Sequence, residues 1–156
     1  MKLYHGTNID FSEIDLSKCK PNKDFGQGFY LLTNIEQQAE KQAVRRCNFE
    51  GSGTPIVQTY EFNEGYLTDK NLNIKIFESM SEEWALFILE NRLRNRKHNY
   101  EIVVGPVADD GVVMQLHRYE QHFIDEKTLV KELTFSKVNS QYFFGSERAI
   151  KLLKRC

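Results

Sequence analysis

Apolar positions along this chain fall in short blocks between polar loops, and the period changes from block to block. Leu3-Tyr4 leads into His5-Gly6, the pattern of a short strand that ends where a missing Cβ allows close approach by a ligand or a tight turn. Asp24-Phe25-Gly26-Gln27-Gly28 opens a second run, Phe29-Tyr30-Leu31-Leu32, which Thr33-Asn34 stops. From Asn34 to Arg46 the composition is helix-forming, with an Asn cap and a basic last turn that suits the helix dipole. The run from Ile56 to Phe62 alternates and is rich in β-branched and aromatic residues, as a half-buried strand requires. Leu72 to Phe77 can form another short strand, and Ser81 to Arg94 reads as a helix capped by its serine, with Trp84 in the core. Tyr100 to Val104 is a continuous apolar run, hence a buried strand ended by Gly105-Pro106, and Asp109-Asp110-Gly111 reads as a turn. Val112 to Phe123 fits helix or strand, while Asp125 to Leu133 reads as helix. Ser140 to Phe144 is a last strand, after which Gly145-Ser146 turns into a final helix, Glu147 to Lys154.

Strands at the two ends and helices between them predict an α+β domain with two small packed β-sheets flanked by helices. A chain of 156 residues suits one domain, 1–156, with one core and one cleft. The balance of 21 Lys and Arg against 22 Asp and Glu, a formal charge of −1, leaves no footprint for nucleic acid or an anionic membrane. No run approaches the roughly 18 apolar residues of a membrane span, and no signal-peptide core follows the N-terminus, so a cytoplasmic protein without a membrane partner is expected. Cys19, Cys47 and Cys156 lack CxxC spacing and read as free thiols. His117 and His122 flank Glu120 at an offset that does not share one helix face, so no metal site is expected. Gly26-Gln27-Gly28 lacks a third glycine and leads into a strand, which excludes the dinucleotide-fold reading.

His5-Gly6-Thr7 and Gly26-Gln27-Gly28-Phe29-Tyr30 could bring two strand ends to one cleft. These residues resemble the NAD-binding core of the ADP-ribosyltransferase superfamily, on the branch of diphtheria toxin and the poly-ADP-ribose polymerases. The chain also resembles a small bacterial family, first catalogued as a domain of unknown function, with the pattern LYHGS/T, DFGxGFY, WxxFxxxNR and DIVxGPxAND. Leu3–Thr7, Asp24–Tyr30, Trp84–Arg92 and Glu101–Asp110 are the counterparts. The resemblance implies an ADP-ribosyltransferase-like fold and an enzyme that consumes NAD as a substrate, releasing nicotinamide and modifying a macromolecular acceptor, a protein rather than a nucleic acid. It further implies a toxin-antitoxin or defence role, with a small antitoxin protein as partner. By resemblance, Gly6 backbone pairs with the carboxamide, His5 bonds a ribose hydroxyl, the Tyr30 ring stacks on nicotinamide, and Thr7, Asp24, Gln27, Gly28 and Phe29 complete the binding segments. Each type suits its task, since imidazole donates and accepts and an aromatic face favours a cationic heterocycle.

Taken singly, a strand-end histidine or a tyrosine is more often structural, and Asp24 and Gln27 are ordinary turn formers. The late strand begins at Gln141, where many such transferases carry a glutamate. The resemblance implies His5, Tyr30 and Gln141 as the catalytic candidates; glutamine can bond a hydroxyl but cannot act as a general base, so a binding module without turnover is the alternative. Glu147 is the nearest other acid, although after Ser146 it simply favours a helix N-terminus. Gln42 stands where the bacterial family often has tryptophan. Arg92 can reach a phosphate or pair with a carboxylate. Hydrolysis by water is a further reading, and so is phosphoryl transfer on RNA. The latter needs basic residues lining the cleft, and no basic run lies near His5 or Tyr30 in sequence.

Overall fold

The structure is a computed structural model that describes residues 1–134 and 139–156, the side chains of 36, 37 and 134 excepted. Its strands in chain order are β1 (Lys2–Thr7), β2 (Phe29–Leu32), β3 (Ile56–Glu61), β4 (Ile74–Ile76), β5 (Ile102–Pro106), β6 (Ser140–Phe144) and β7 (Lys154–Arg155). The helices are α1 (Glu40–Glu50), α2 (Glu82–Arg94), α3 (Asp110–Glu120), α4 (Glu126–Thr134) and the single turn α5 (Glu147–Ile150). The mixed α+β class is as expected. The two separate sheets are not found: hydrogen bonding joins the strands into one sheet of order β4-β5-β6-β2-β1-β3-β7, antiparallel except for β4 with β5.

The join between its halves is narrow. β1 pairs with β3 along all six residues, and β2 pairs with β6 along all four, but β1 meets β2 only at Tyr4 and Leu32. Beyond that pair the strands diverge, so the sheet opens beside His5, Gly6 and Thr7. Strand alternation then sorts the core. Val103 and Phe143 face Trp84, Ile88, Val112, Leu116, Leu129 and Leu133 of α2, α3 and α4. Their neighbours Ile102, Val104, Tyr142 and Phe144 face Leu3, Phe29, Leu31, Tyr60 and Ala149 on the opposite side. Burial on both faces is the physical reason that β5 and β6 read as continuous apolar runs. Trp84 is fully buried, and its Nε1–H donates to Pro106 O at 3.2 Å.

Three further boundaries differ from expectation. Asp109 is a helix cap and not part of a turn, because its carboxylate accepts from Val112 N at 2.9 Å; the ambiguous segment after it is the helix α3. The final helix is short. Leu152 and Leu153 turn back by hydrogen bonds to Ala149 O and Ile150 O, so that Lys154 and Arg155 can pair with the open edge of β3. The helix after β2 begins as a π turn over Ile35–Ala39, with Ala39 N donating to Asn34 O, and α1 then continues to Gly51, whose left-handed backbone ends it.

Candidate functional site

The sheet opening is built from the ends of β1 and β2. His5, only 6% exposed, spans it: its Nδ1–H donates to Tyr30 O at 2.8 Å. A carbonyl can only accept, so the proton sits on Nδ1 and Nε2 of the neutral ring is an acceptor. Burial lowers the His5 pKa to about 4; the bond to Tyr30 raises it, and the Arg46 charge lowers it further. The imidazole is therefore neutral at pH 7. It packs against the Phe29 ring at 4.5 Å and meets the Phe11 edge at 5.8 Å. Across β3, buried Gln58 holds the Phe11 segment over it by donating to Asp10 Oδ1 and Phe11 O.

Gly6 lies one residue further into the opening, and α1 presses on it. A Cβ there would sit 2.1 Å from Ala39 O and 2.7 Å from Ala43 N, so no other residue fits. Its N–H points away from β3 and donates to Gln42 Oε1 at 3.3 Å. Thr7 is buried and bonds within its own turn, its hydroxyl donating to Ile9 O and accepting from Ile9 N.

The glycine loop before β2 is held at several points. The Tyr30 hydroxyl accepts from Phe25 N at 2.9 Å and donates to Gly26 O at 2.7 Å, which folds the side chain back onto its own loop. Its ring lies 6.4 Å from Phe25 and edge-on to Phe143 at 5.3 Å, and burial pushes its hydroxyl well above the ordinary tyrosine range. His98 Nε2–H donates to Phe25 O at 2.7 Å while its Nδ1 accepts from Tyr100 N. Gly26 has φ +93°, and a Cβ on Gly28 would fall 2.2 Å from the Phe143 ring. Gln27 is exposed and donates to Leu16 O.

Asp24 lies at the centre of a buried polar network. Its Oδ1 accepts from Arg92 Nε at 2.6 Å and from the Arg92 terminal nitrogen, and its Oδ2 accepts from Gln141 Nε2 at 2.7 Å and Ala108 N at 3.3 Å. Gln141 Nε2 also donates to Pro106 O, so both amide hydrogens are engaged and only its carbonyl oxygen is left to accept. This explains the glutamine. A glutamate at 141 would set carboxylate against carboxylate at 2.7 Å, whereas an amide supplies the donor that Asp24 needs.

The family described as "Protein of unknown function (DUF3990)" matches residues 1–155. The chain belongs to that family. No curated protein and no solved structure gives a match. In this DUF3990 protein the fold brings His5, Gly6 and the Tyr30 backbone to one opening and Gln141 to the strand beside it, across from Leu32. Side chains divide by face: His5 packs with Phe29, while Tyr30 and Gln141 lie on the face that carries Phe143. Phe29, Thr7, Gly28 and Asp24 are held by packing or hydrogen bonds internal to the DUF3990 fold. Glu147 lies away from the opening, in the first turn of α5.

Sequence reading missed the charges around the opening. Arg46 acts on His5, and Lys23 is held below the ordinary lysine range by partial burial and then by Arg46 and Arg92. These cations come from α1, the loop before β2 and α2, so no sequence run signals them. The available signal was helical: Arg46 follows Gln42 by four residues, on the α1 face that covers Gly6.

Proposed function

We propose that this protein is an NAD-dependent ADP-ribosyltransferase that transfers ADP-ribose to a macromolecular acceptor and releases nicotinamide. The observation that carries the reading is the sheet opening, where a neutral histidine meets an edge at Gly6 that, among the described residues, no strand pairs on that side. Gly6 offers N–H and C=O on one side, a match for a primary carboxamide. His5 Nε2 accepts a hydrogen bond from a ribose hydroxyl, and its Nδ1–H bond to Tyr30 O fixes the tautomer that makes this possible. Gln141 offers its carbonyl oxygen to a second hydroxyl. Nicotinamide leaves as a neutral molecule, so departure needs no strong acid; orientation of the ribose and electrostatic support of the oxocarbenium-like centre supply the acceleration. Arg46 and Lys23 suit the diphosphate. A protein acceptor and a small antitoxin partner belong to the same proposal through the family resemblance.

A second reading, an NAD-binding module without turnover, is favoured by one specific observation. Gln141 is neutral, and its nearest carboxylate, Asp24, is neutralised by Arg92. The deciding experiment incubates the protein with NAD, with and without bacterial lysate, and follows nicotinamide and ADP-ribose adducts by mass. Transfer predicts release with adducts, lost in a folded His5→Ala variant. Binding with NAD intact selects the module, and neither binding nor cleavage overturns both readings.

A further inference from the structure

The segment that covers Gly6 has two unusual features. It enters α1 through a π turn, and Gln38 Oε1 within that turn is buried with no hydrogen-bond partner among the described residues. π turns and orphaned acceptors concentrate where a structure is completed by something else. Next to them, the sheet opening leaves Gly6 N–H without a strand partner, and a side-chain carboxamide, that of Gln42, takes its place at 3.3 Å. In an extended strand the N–H and C=O of one residue point to the same side, so Gly6 presents a donor and an acceptor together. Gln42 satisfies the donor alone, through one long bond. A free primary carboxamide can satisfy both.

We propose that Gln42 is an internal occupant of the carboxamide slot, a specificity-determining residue that ligands displace. The inference rests on the NAD reading above and adds to it a competition built into α1. Any ligand must take Gly6 N–H from Gln42, so ligands with one carbonyl contact gain little by exchange and ligands with both halves of a carboxamide gain a bond. The slot thereby favours primary carboxamides over the corresponding carboxylates, whose charge would face Gly6 C=O. Apparent affinity falls by the fraction of molecules in which Gln42 is seated.

Titration of the purified protein with benzamide and with benzoate, read by calorimetry and by the amide resonance of 15N-labelled Gly6, tests this. Gln42→Ala should bind benzamide and NAD three- to tenfold more tightly than the parent, with little gain for benzoate. Gln42→Glu, whose carboxylate accepts more strongly from the same N–H, should bind benzamide more weakly, and the Gly6 resonance should move on benzamide addition in both the parent and Gln42→Ala. Benzamide binding that is equal or weaker in Gln42→Ala overturns the displacement and leaves the NAD reading standing. Failure of every variant to bind benzamide or NAD overturns the NAD reading and this inference with it.

Discussion

Asp24 offers the sharpest test of what the site is made of, because its resemblance-based role is ligand binding and its structural surroundings are internal. Replacing it with alanine removes both Arg92 bonds and the acceptor for Gln141 Nε2 and Ala108 N. Losing one partner of a buried pair costs about 3 to 5 kcal/mol, and the Arg92 side chain, 30% exposed, can recover some water, which argues for the lower end. Gln141 keeps Pro106 O, so its loss is partial. The Ala108 N–H is orphaned at a cost of about 1 kcal/mol. A destabilisation of about 4 to 5 kcal/mol follows, or a midpoint lowered by roughly 8 to 20 °C for a domain of this size.

Urea unfolding followed by Trp84 fluorescence, with a thermal scan alongside, measures it. Arg92→Leu should cost a comparable amount, because it removes the cation that hydrogen-bonds the Asp24 carboxylate. The double variant should cost at least about 1.5 kcal/mol less than the sum of the two, the coupling expected of direct partners. An Asp24→Ala loss below about 1 kcal/mol, or strict additivity with Arg92→Leu, would refute the network as the structural role of Asp24 and return the residue to ligand contact.

Three other outcomes are expected. Tyr30→Phe keeps the ring but orphans Phe25 N and Gly26 O, so stability measured in urea should fall by about 1 to 3 kcal/mol, and an unchanged midpoint would free Tyr30 for ligand stacking. His5, with its pKa lowered from 6.5 to about 4, contributes stability in full above about pH 6.5 and loses it as pH falls towards 4, because the unfolded chain takes up the proton first; the change amounts to about 3 kcal/mol between pH 7 and pH 4. Comparing that pH slope with His5→Gln isolates it, and identical slopes would sink the assignment. Gln141→Glu should destabilise the fold by about 2 kcal/mol through its clash of charge with Asp24, and adding Asp24→Asn should restore part of the loss; the absence of any rescue would show that the two side chains are not coupled.

Local signals made most elements legible, including β1, β2, β3, β5, β6 and α2, because each carries its own period and stop residues. The misses share a different cause. α5 ends early and Arg155 joins β3 because an open strand edge far away in sequence competes for the tail. The single sheet was illegible because its two halves join through one pair, Tyr4 with Leu32, a fact of register and not of composition. At the site, His5 and Gly6 could be singled out from their place at a strand end. Arg46 and Lys23 could not, since they reach the opening only through the packing of α1 and the loop on β1, and Gln42 stood out only as a departure from the family's tryptophan, its bond to Gly6 N being a matter of the fold.

The departure of Gln141 from the acidic pattern takes its meaning from that same three-dimensional context. Read along the chain, a neutral residue at the start of β6 is a missing acid. In the fold, a carboxylate is present after all, on Asp24, and the amide at 141 is its hydrogen-bond donor. Charge in this site is thus displaced by one hydrogen bond and balanced by Arg92, and position 141 itself carries a carbonyl dipole and not an ion. A dipole held by two bonds needs no reorganisation when positive charge develops nearby, but it stabilises that charge less than a carboxylate would. Under the proposed transfer, His5, neutral and tautomerically fixed, and Gln141, oriented by Asp24 and Pro106, would act as preset hydrogen-bond acceptors and not through proton transfer.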